Sequence, residues 1–160
     1  KPGGLAQAFL IAEDFMDDQN ITMILGDNLF VGDNSFLKDA IRSFDAGGRV
    51  FAHKVSDPSR FGVVEFDDKN KAKGIEEKPA KPKSDFAVTG LYIYDNTVVQ
   101  KAKSLKPSER GEIEITDLNN LYLKENNLDV KIYEGYWLDT GTFDSLYEAT
   151  KKIYELRNKN

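Results

Sequence analysis

The stretch that most constrains the fold runs from Ile21 to Asn28, where an apolar run stops abruptly at Gly26 and Asp27. A short apolar run that is bounded by turn residues and flanked by helical patterns is typical of a buried parallel strand. In open α/β sheets, ligands gather at the carboxyl ends of the strands. Asp27 is therefore predicted to lie where a carboxylate can hold a metal over a substrate. The alternative interpretation is that Asp27 only caps a turn.

Composition limits the classes of function. The 160 residues are 40% hydrophobic and 31% charged, which is ordinary for one globular domain. A net charge of -5 argues against nucleic-acid binding, which needs a basic face, so a phosphate site must be built locally from a few cations. Within these residues the absence of cysteine excludes disulfides and thiol chemistry, and it fits a cytoplasmic protein. No apolar run approaches the roughly 20 residues of a membrane span, and no signal peptide is recognisable.

Helices and strands alternate in the first third of the chain. The strand that ends at Asp27 is preceded by a helix whose predicted apolar face comprises Leu5, Ala8, Phe9, Ala12, Phe15 and Met16. A second helix follows that strand, and a polar residue among Asp33, Asn34 and Ser35 is predicted to cap it. The next strand covers residues 49–55. This alternation predicts a parallel sheet.

The middle of the chain makes the predicted sheet mixed. Residues 62–66 and 72–78 form a predicted hairpin, and residues 86–94 form a long strand. Gly90 in that strand hints at close approach of the backbone by a ligand or another chain. Further helices are predicted at 96–103, around 115–122 and after Thr142, with a strand at 129–133. The predicted fold class is therefore α/β, with a mixed, mainly parallel Rossmann-like sheet flanked by helices, in a single domain over residues 1–160.

Two acids, Asp27 and Asp139, each end an apolar segment. If those segments are neighbours in the fold, the two carboxylates could share one divalent cation. Carboxylate oxygens without His or Cys suit Mg²⁺, which keeps several waters and uses phosphate oxygens of a substrate as further ligands. The sequence leaves open whether the two segments meet.

Two cations lie in loops where they could bind phosphate. Lys78 is the last residue of the predicted hairpin and precedes a proline-containing loop, and a lysine ammonium is an effective point charge for phosphate. Arg110 could bind phosphate through two parallel hydrogen bonds. The alternatives are a solvated lysine and an arginine paired with Glu109 or Glu112. The single histidine, His53, lies in a predicted strand, where a packed residue is expected rather than a catalyst. Metal-assisted phosphoryl-type transfer is the chemistry that these residues favour.

Seven segments occur in an order that resembles the glucose-1-phosphate thymidylyltransferases, a family of sugar nucleotidyltransferases. The resemblance runs nearly from end to end of the chain, and seven ordered motifs form a specific signal. The segments cover residues 4–8, 25–28, 60–64, 76–79, 88–92, 110–117 and 137–141.

The resemblance implies that the parent enzyme joins glucose 1-phosphate to dTTP with Mg²⁺, giving dTDP-glucose and pyrophosphate. The sugar phosphate would attack the α-phosphorus in line, without a covalent enzyme intermediate. By the same resemblance, Asp27 and Asp139 would hold the metal, and Lys78 and Arg110 would contact the phosphate of the sugar as the catalytic cations. The other substrate-binding residues that it implies are Gly4 at the nucleotide base and, around the hexose, Gly62, Glu77, Val88 and Gly90.

The chain departs from the family pattern at its beginning. The family opens with a strand and a Gly-rich loop that carry an Arg and a nearby Lys and cradle the triphosphate, whereas Lys1 and Pro2 match the family just before its Gly-Leu-Ala segment. We therefore expect the C-terminal part of a nucleotidyltransferase catalytic domain, N-terminally truncated and by itself largely inactive. Sheet edges that are left open predict a homo-oligomer in the full-length protein.

Two other functions stay open at this point. A sibling enzyme could use UTP, CTP or ATP with a different sugar phosphate. A non-catalytic sugar-phosphate-binding or assembly module is the alternative from another class. The presence of both Asp27 and Asp139 argues against the module, because binding alone does not need a metal pair.

Overall fold

A computed structural model describes residues 3–33 and 35–158 of the chain. The helices are α1 (Gln7–Ile11), α2 (Glu13–Met16), α3 (Ser35–Arg42), α4 (Val98–Ser104), α5 (Ile115–Lys124) and α6 (Phe143–Arg157). The strands are β1 (Ile21–Ile24), β2 (Asn28–Val31), β3 (Gly48–Lys54), β4 (Gly62–Phe66), β5 (Ala72–Glu77), β6 (Phe86–Tyr94), β7 (Leu128–Ile132) and β8 (Tyr136–Asp139). A 3₁₀ turn covers Pro58–Arg60.

The central strand of the fold is β6, and all of its residues except the first are buried. One edge of β6 pairs with β3, and the other edge pairs with β1 near its carboxyl end and with β4 near its amino end. The strands β7 and β5 extend this sheet on either side, which makes six strands in total. The strands β2 and β8 form a separate antiparallel pair, which we call the β2–β8 ribbon.

The sheet is mixed, as predicted, but the prediction that it is mainly parallel is wrong. Among the described strands, β3 and β7 form the only parallel pair, and the other pairings are antiparallel. β1 and β3 do run in the same direction, but β6 lies between them. A strand–helix–strand pattern indicates relative direction, whereas the hydrogen-bonding neighbour comes from a strand far along the chain. The apolar run 21–25 therefore pairs antiparallel to β6.

Helices cover both faces of the sheet, as predicted. Successive residues of β6 point to opposite faces. Tyr92 and Tyr94 pack in the larger core cluster with residues of α1, α2, α4 and α5, while Leu91 and Ile93 pack against α3. The strand β6 is therefore packed between helices on both faces of the sheet.

Two helix starts illustrate how local sequence acts. The Thr142 cap of α6 is confirmed, because its Oγ1 accepts a hydrogen bond from the Ser145 backbone N–H at 3.1 Å. At α3 the Asp33 carboxylate accepts from the Ser35 backbone N–H at 2.8 Å, and Asn34 lies outside the described residues. The first predicted helix is instead two short helices with a break at Ala12, so Phe15 is 82% exposed.

No helix among the described residues has both the length and the apolarity to cross a membrane.

Candidate active site

The two predicted metal-binding acids come together because β2 and β8 pair. Asn28 lies opposite Asp139 in the register of this pair. The Thr140 backbone N–H donates to the Asp27 carbonyl oxygen at 2.7 Å, and the Thr140 hydroxyl donates to the same oxygen at 2.9 Å. These bonds hold the turn before β2 against the turn after β8. The two acidic segments are thus neighbours, although they meet in the ribbon rather than in the main sheet.

Gly141 leaves room for both carboxylates. A Cβ on Gly141 would lie 3.0 Å from Asp27 Oδ2 and 3.1 Å from Asp139 Oδ1. The backbone N–H of Gly141 donates to Asp139 Oδ1 at 2.9 Å. On its other side, Asp139 Oδ2 lies 3.7 Å from an Arg60 guanidinium nitrogen. Both carboxylates therefore converge on one small space in which a side chain would crowd them.

This donor set fits a hard divalent cation. The part of the chain that the structure describes contains no group of three or more His, Cys, Asp or Glu side chains arranged to hold a metal. A pair of carboxylates is nevertheless what Mg²⁺ commonly takes from a protein, because it keeps several waters and binds substrate phosphates. Asp27 and Asp139 would be the residues that hold it.

A cavity of about 190 Å³ lies beside the acid pair. Its walls come from β4, β5, β6, α5, the β2–β8 ribbon and the turn that follows β1. Most of the site residues that the sequence predicts line this cavity: Asp27, Gly62, Glu77, Lys78, Val88, Gly90 and Asp139. Arg60 and Trp137 line it as well, and the same two residues line a wider cleft of about 730 Å³ that extends toward α6. The cavity thus combines carboxylates, cations and apolar surface in one place.

Glu77 ends β5 and lies opposite Gly62 in the β4–β5 register. The hydroxyl of Thr116, a buried residue of α5, donates to Glu77 Oε2 at 2.6 Å. The other oxygen, Oε1, lies 3.8 Å from an Arg110 guanidinium nitrogen and 4.0 Å from Lys78 Nζ. One carboxylate oxygen is therefore fixed by Thr116, while the second lies beside two cations.

Lys78 has a backbone conformation that is unusual for a residue other than glycine. Its φ angle is 44°, in the left-handed region, and its N–H donates to the Phe61 carbonyl at 3.0 Å. Such a conformation costs roughly 1 kcal/mol and is commonly found where the surrounding structure fixes a functional side chain. The lysine is thus held between β5 and the following proline loop, with its side chain half exposed at the cavity.

Arg110 lies next to the cavity without lining it. Its guanidinium pairs with Glu112 at 3.0 Å and approaches Glu114 at 3.6 Å, besides its contact with Glu77. The pairing with Glu112 that the sequence left open therefore exists, and it coexists with a position beside Glu77. The predicted phosphate cations Lys78 and Arg110 are brought together through one carboxylate.

Gly4 does not line the cavity, although the next residue in the chain, Leu5, does. The φ angle of Gly4 is 97°, and a Cβ there would lie within 2.4 Å of the Ile113 carbonyl oxygen. The neighbouring Gly3 carbonyl accepts a hydrogen bond from the Ile113 N–H at 2.7 Å. The close contact with the Ile113 backbone is therefore enough to explain a glycine at this position.

The backbone of Gly90 is closely approached, as predicted, but by a different group from those expected. The group that approaches its backbone is the Asn28 side chain, because a Cβ on Gly90 would lie 2.6 Å from Asn28 Cγ. The Gly90 N–H donates to Asn28 Oδ1 at 2.8 Å, and the Gly90 carbonyl accepts from the Leu25 N–H at 2.8 Å. Neither a ligand nor another chain is needed to explain the glycine. Asn28 is a residue that sequence reasoning missed.

Two further residues at the cavity carried no sequence signal for their position. The indole N–H of Trp137 donates to Asn28 Oδ1 at 2.6 Å, and its ring contacts Phe61 edge to face. Tyr92 is buried beneath the cavity, and burial together with the charges of Glu77 and Asp27 raises the pKa of its hydroxyl far above the ordinary value. Tyr92 therefore remains neutral at any working pH.

His53 is a packed residue in the structure, which agrees with the sequence-based interpretation. Its Nδ1 lies 2.9 Å from the Tyr133 carbonyl oxygen, and its ring lies against Tyr133 and Trp137. The chemistry of the cavity is therefore that of carboxylates and cations.

A family model described as nucleotidyl transferase matches residues 1–155 of the chain. The chain belongs to the nucleotidyl transferase family. The match includes the acid pair, the hairpin that carries Glu77 and Lys78, and the β2–β8 ribbon. Membership agrees with the phosphoryl-type chemistry that the residues favoured and with the resemblance found in the motifs.

Several curated relatives within this family are glucose-1-phosphate thymidylyltransferases. The one from Neisseria meningitidis serogroup A is 52% identical over 161 residues, and the alignment covers 98% of this chain and 56% of the relative. The one from Mycolicibacterium smegmatis is 51% identical and is covered to the same extent. The chain therefore spans a little over half the length of the curated relatives that it matches.

Two solved structures share the fold of this chain. A Bacillus anthracis protein assigned as a glucose-1-phosphate thymidylyltransferase, solved with sucrose, superimposes with a TM-score of 0.83 at 46% identity and covers 93% of this chain and 60% of that chain. A UDP-glucose pyrophosphorylase solved with UDP-glucose gives a TM-score of 0.85 at 23% identity, over 97% of this chain and 63% of that chain. At this identity the second likeness concerns the fold alone.

Proposed function

We propose that this chain forms the sugar-phosphate and metal side of an enzyme that transfers a thymidylyl group from dTTP to glucose 1-phosphate. The observation that carries the proposal is the convergence of Asp27 and Asp139 beside a cavity that also contains Glu77 and Lys78. Phosphoryl-type transfer requires carboxylates that can hold a metal ion and cationic side chains that can neutralise phosphate. A cytoplasmic location and assembly into homo-oligomers belong to the same proposal.

The reaction forms one P–O bond and breaks another. A phosphate oxygen of glucose 1-phosphate attacks the α-phosphorus of dTTP, and the bond from that phosphorus to the β-phosphate oxygen breaks, so pyrophosphate leaves. The attacking oxygen belongs to an ionised phosphate and needs no general base. This chemistry agrees with a cavity whose functional groups position and neutralise charge and whose lining does not include the single histidine, His53.

Each charged residue has a distinct part in this proposal. Lys78 and Arg110 neutralise the phosphate of the sugar, and their common contact with Glu77 sets the distance between them. Glu77 Oε1 accepts hydrogen bonds from hexose hydroxyls, since Thr116 already occupies Oε2. Mg²⁺ held by Asp27 and Asp139 would supply charge neutralisation to the phosphates when it is bound.

The choice of dTTP and glucose 1-phosphate rests on the relatives. Proteins that are 51% and 52% identical to this chain carry the name glucose-1-phosphate thymidylyltransferase. This identity favours dTTP over UTP, CTP or ATP, and it favours an enzyme over a non-catalytic binding module. The UDP-glucose pyrophosphorylase is too distant in sequence to support a different nucleotide.

The test measures pyrophosphate release by the protein that contains these residues, with glucose 1-phosphate, Mg²⁺ and each of the four nucleoside triphosphates in turn. We expect dTTP to give the highest kcat/KM. Asp27→Asn should reduce the rate about 100-fold, because an electrostatic group of the site is lost. The matched control Asp68→Asn changes an exposed acid in the β4–β5 turn and should leave the rate unchanged.

Two results would contradict the proposal. Equal rates in the wild type and in Asp27→Asn would remove the metal role of the acid pair. Binding of glucose 1-phosphate without pyrophosphate release from any triphosphate would instead support the non-catalytic module.

A further inference from the structure

The side-chain amide of Asn28 connects three parts of the candidate site. Its Nδ2 donates to Asp27 Oδ1 at 2.8 Å, while its Oδ1 accepts from the Gly90 N–H at 2.8 Å and from the Trp137 indole N–H at 2.6 Å. These partners lie in the turn before β2, in the central strand β6 and in β8. One amide thus links the acid pair to the most deeply held strand of the fold.

The orientation of this amide follows from the chemistry of its partners. A backbone N–H and an indole N–H can only donate hydrogen bonds, so the acceptor oxygen of Asn28 must face Gly90 and Trp137. The NH₂ group is then directed at Asp27, and a carboxylate is a suitable acceptor for it. The contact from Asn28 to Asp27 is therefore imposed by groups outside the acid pair.

Packing fixes the position of the amide as well as its orientation. The missing side chain at Gly90 provides its space, because a Cβ there would lie 2.6 Å from Asn28 Cγ. Trp137 is only 7% exposed and contacts Phe61 and His53, so the indole donor is itself held. Asp27, in contrast, belongs to an exposed turn. The carboxylate thus depends on a neighbour for its orientation.

We propose that Asn28 is the positioning residue of the acid pair. It holds the Asp27 carboxylate at a fixed place relative to Gly90 and Trp137. The inference rests on the proposed function, because the metal role of Asp27 is part of that function. Asn28 acts through Asp27 and does not itself contact the reacting atoms.

The test uses two measurements that do not depend on turnover. The first is the affinity for Mn²⁺, measured from the electron paramagnetic resonance signal of the free ion. The second is the indole N–H resonance in a ¹⁵N correlation spectrum, which is a single peak because Trp137 is the only tryptophan. In Asn28→Ala we expect the indole peak to move and the Mn²⁺ dissociation constant to rise about 10-fold, as is typical when a group that orients a metal ligand is lost.

Two other variants separate positioning from a general loss of structure. Gly90→Ala should displace the Asn28 amide and produce the same two changes, even though Asn28 is intact. The control is Asn120→Ala on α5, which removes a different side-chain amide that forms hydrogen bonds of 2.7 Å and 3.1 Å with the Ile75 backbone. This substitution should change neither measurement. Agreement of Asn28→Ala with Gly90→Ala and not with Asn120→Ala supports the inference.

The contrary outcomes are distinguishable. If Asp27→Asn binds Mn²⁺ as tightly as the wild type, the metal role in the proposed function fails and this inference fails with it. If Asp27→Asn loses Mn²⁺ while Asn28→Ala and Gly90→Ala keep wild-type affinity, only the positioning role of Asn28 is overturned.

Discussion

The central strand β6 and the β2–β8 ribbon meet at the same cavity, but they are built differently. All residues of β6 except the first are buried, and neighbouring strands pair along both of its edges. In the ribbon, Trp137 is the only residue that is buried, and the pair lies outside the main sheet. The strand β6 contributes Val88, Gly90 and Tyr92 to the cavity, whereas the two acids lie at the ends of the ribbon strands.

The difference suggests that stability and chemistry are largely separate in this fold and are joined at a few contacts. The hydrogen bond from Gly90 to Asn28 is one such contact, and the bond from Thr140 to the Asp27 carbonyl is another. Substitutions in β6 should therefore change the free energy of unfolding, and substitutions in the ribbon should change function. The following predictions test that separation.

The largest expected effect lies at Tyr94 in β6. Its ring is fully buried against Phe9 and Tyr122, and its hydroxyl donates to Asn119 Oδ1 at 2.5 Å. Tyr94→Ala leaves a large cavity and should lower the free energy of unfolding by about 3–5 kcal/mol. Urea unfolding followed by circular dichroism measures this loss.

Tyr94→Phe is the matched control, because it removes only the hydroxyl and should cost about 1–2 kcal/mol. If Tyr94→Ala costs no more than Tyr94→Phe, the packing of β6 does not dominate stability and the proposed separation breaks down.

Much of the fold could be predicted from local sequence. The hairpin of β4 and β5, the long strand β6 and the cap of α6 at Thr142 each depend on residues near one another in the chain. Their patterns of alternation, turn residues and capping therefore contain the information. The position of β6 between β1 and β3 could not be predicted in the same way, because strand neighbours depend on packing between distant segments.

In the candidate site, too, the residues with a local sequence signal could be predicted and those that depend on distant contacts could not. Asp27 and Asp139 were recognisable because each acid follows an apolar run, a local feature. Asn28 was not, because its role depends on Gly90 and Trp137, which lie 62 and 109 residues away. The glycine in β6 was the only signal, and it indicated a close approach without identifying the group that approaches.

A second prediction concerns Asp95, which follows β6 directly. Burial would raise the pKa of its carboxyl, but hydrogen bonds from Thr97, Gly47 and Tyr122 hold that pKa below the ordinary value. The unfolded chain thus binds a proton at a higher pH than the folded chain does. The stabilisation is complete above the unfolded pKa of about 3.9 and is lost as the pH falls through the lower folded pKa.

Asp95→Asn should therefore cost about 1–3 kcal/mol at pH 7 and should make the remaining stability less steep in acid. Urea unfolding at pH 7 and at a series of pH values below 4 measures both effects. An equally steep loss of stability in acid for the wild type and for Asp95→Asn would show that this carboxylate does not contribute to the stability of β6.

The smallest expected effect lies in the turn that follows the ribbon strand β8, and it is the sharpest test of the separation. A Cβ at Gly141 would lie 3.0 Å from Asp27 Oδ2 and 3.1 Å from Asp139 Oδ1, so Gly141→Ala should move both carboxylates by a few tenths of an ångström. We expect about a 10-fold loss of kcat/KM, because small displacements of positioned groups slow catalysis strongly. The free energy of unfolding should change by less than about 0.5 kcal/mol, as for most exposed substitutions.

Gly26→Ala is the matched control on the other side of Asp27. A Cβ at Gly26 has no atom within 4 Å, so the same substitution should leave both the rate and the stability unchanged. Stopped assays of pyrophosphate release and urea unfolding, run on both variants, separate the two quantities. Equal rates for Gly141→Ala and Gly26→Ala would mean that the space between the carboxylates is not used in catalysis. A loss of stability in Gly141→Ala as large as its loss of rate would mean that the ribbon supports the fold as much as β6 does.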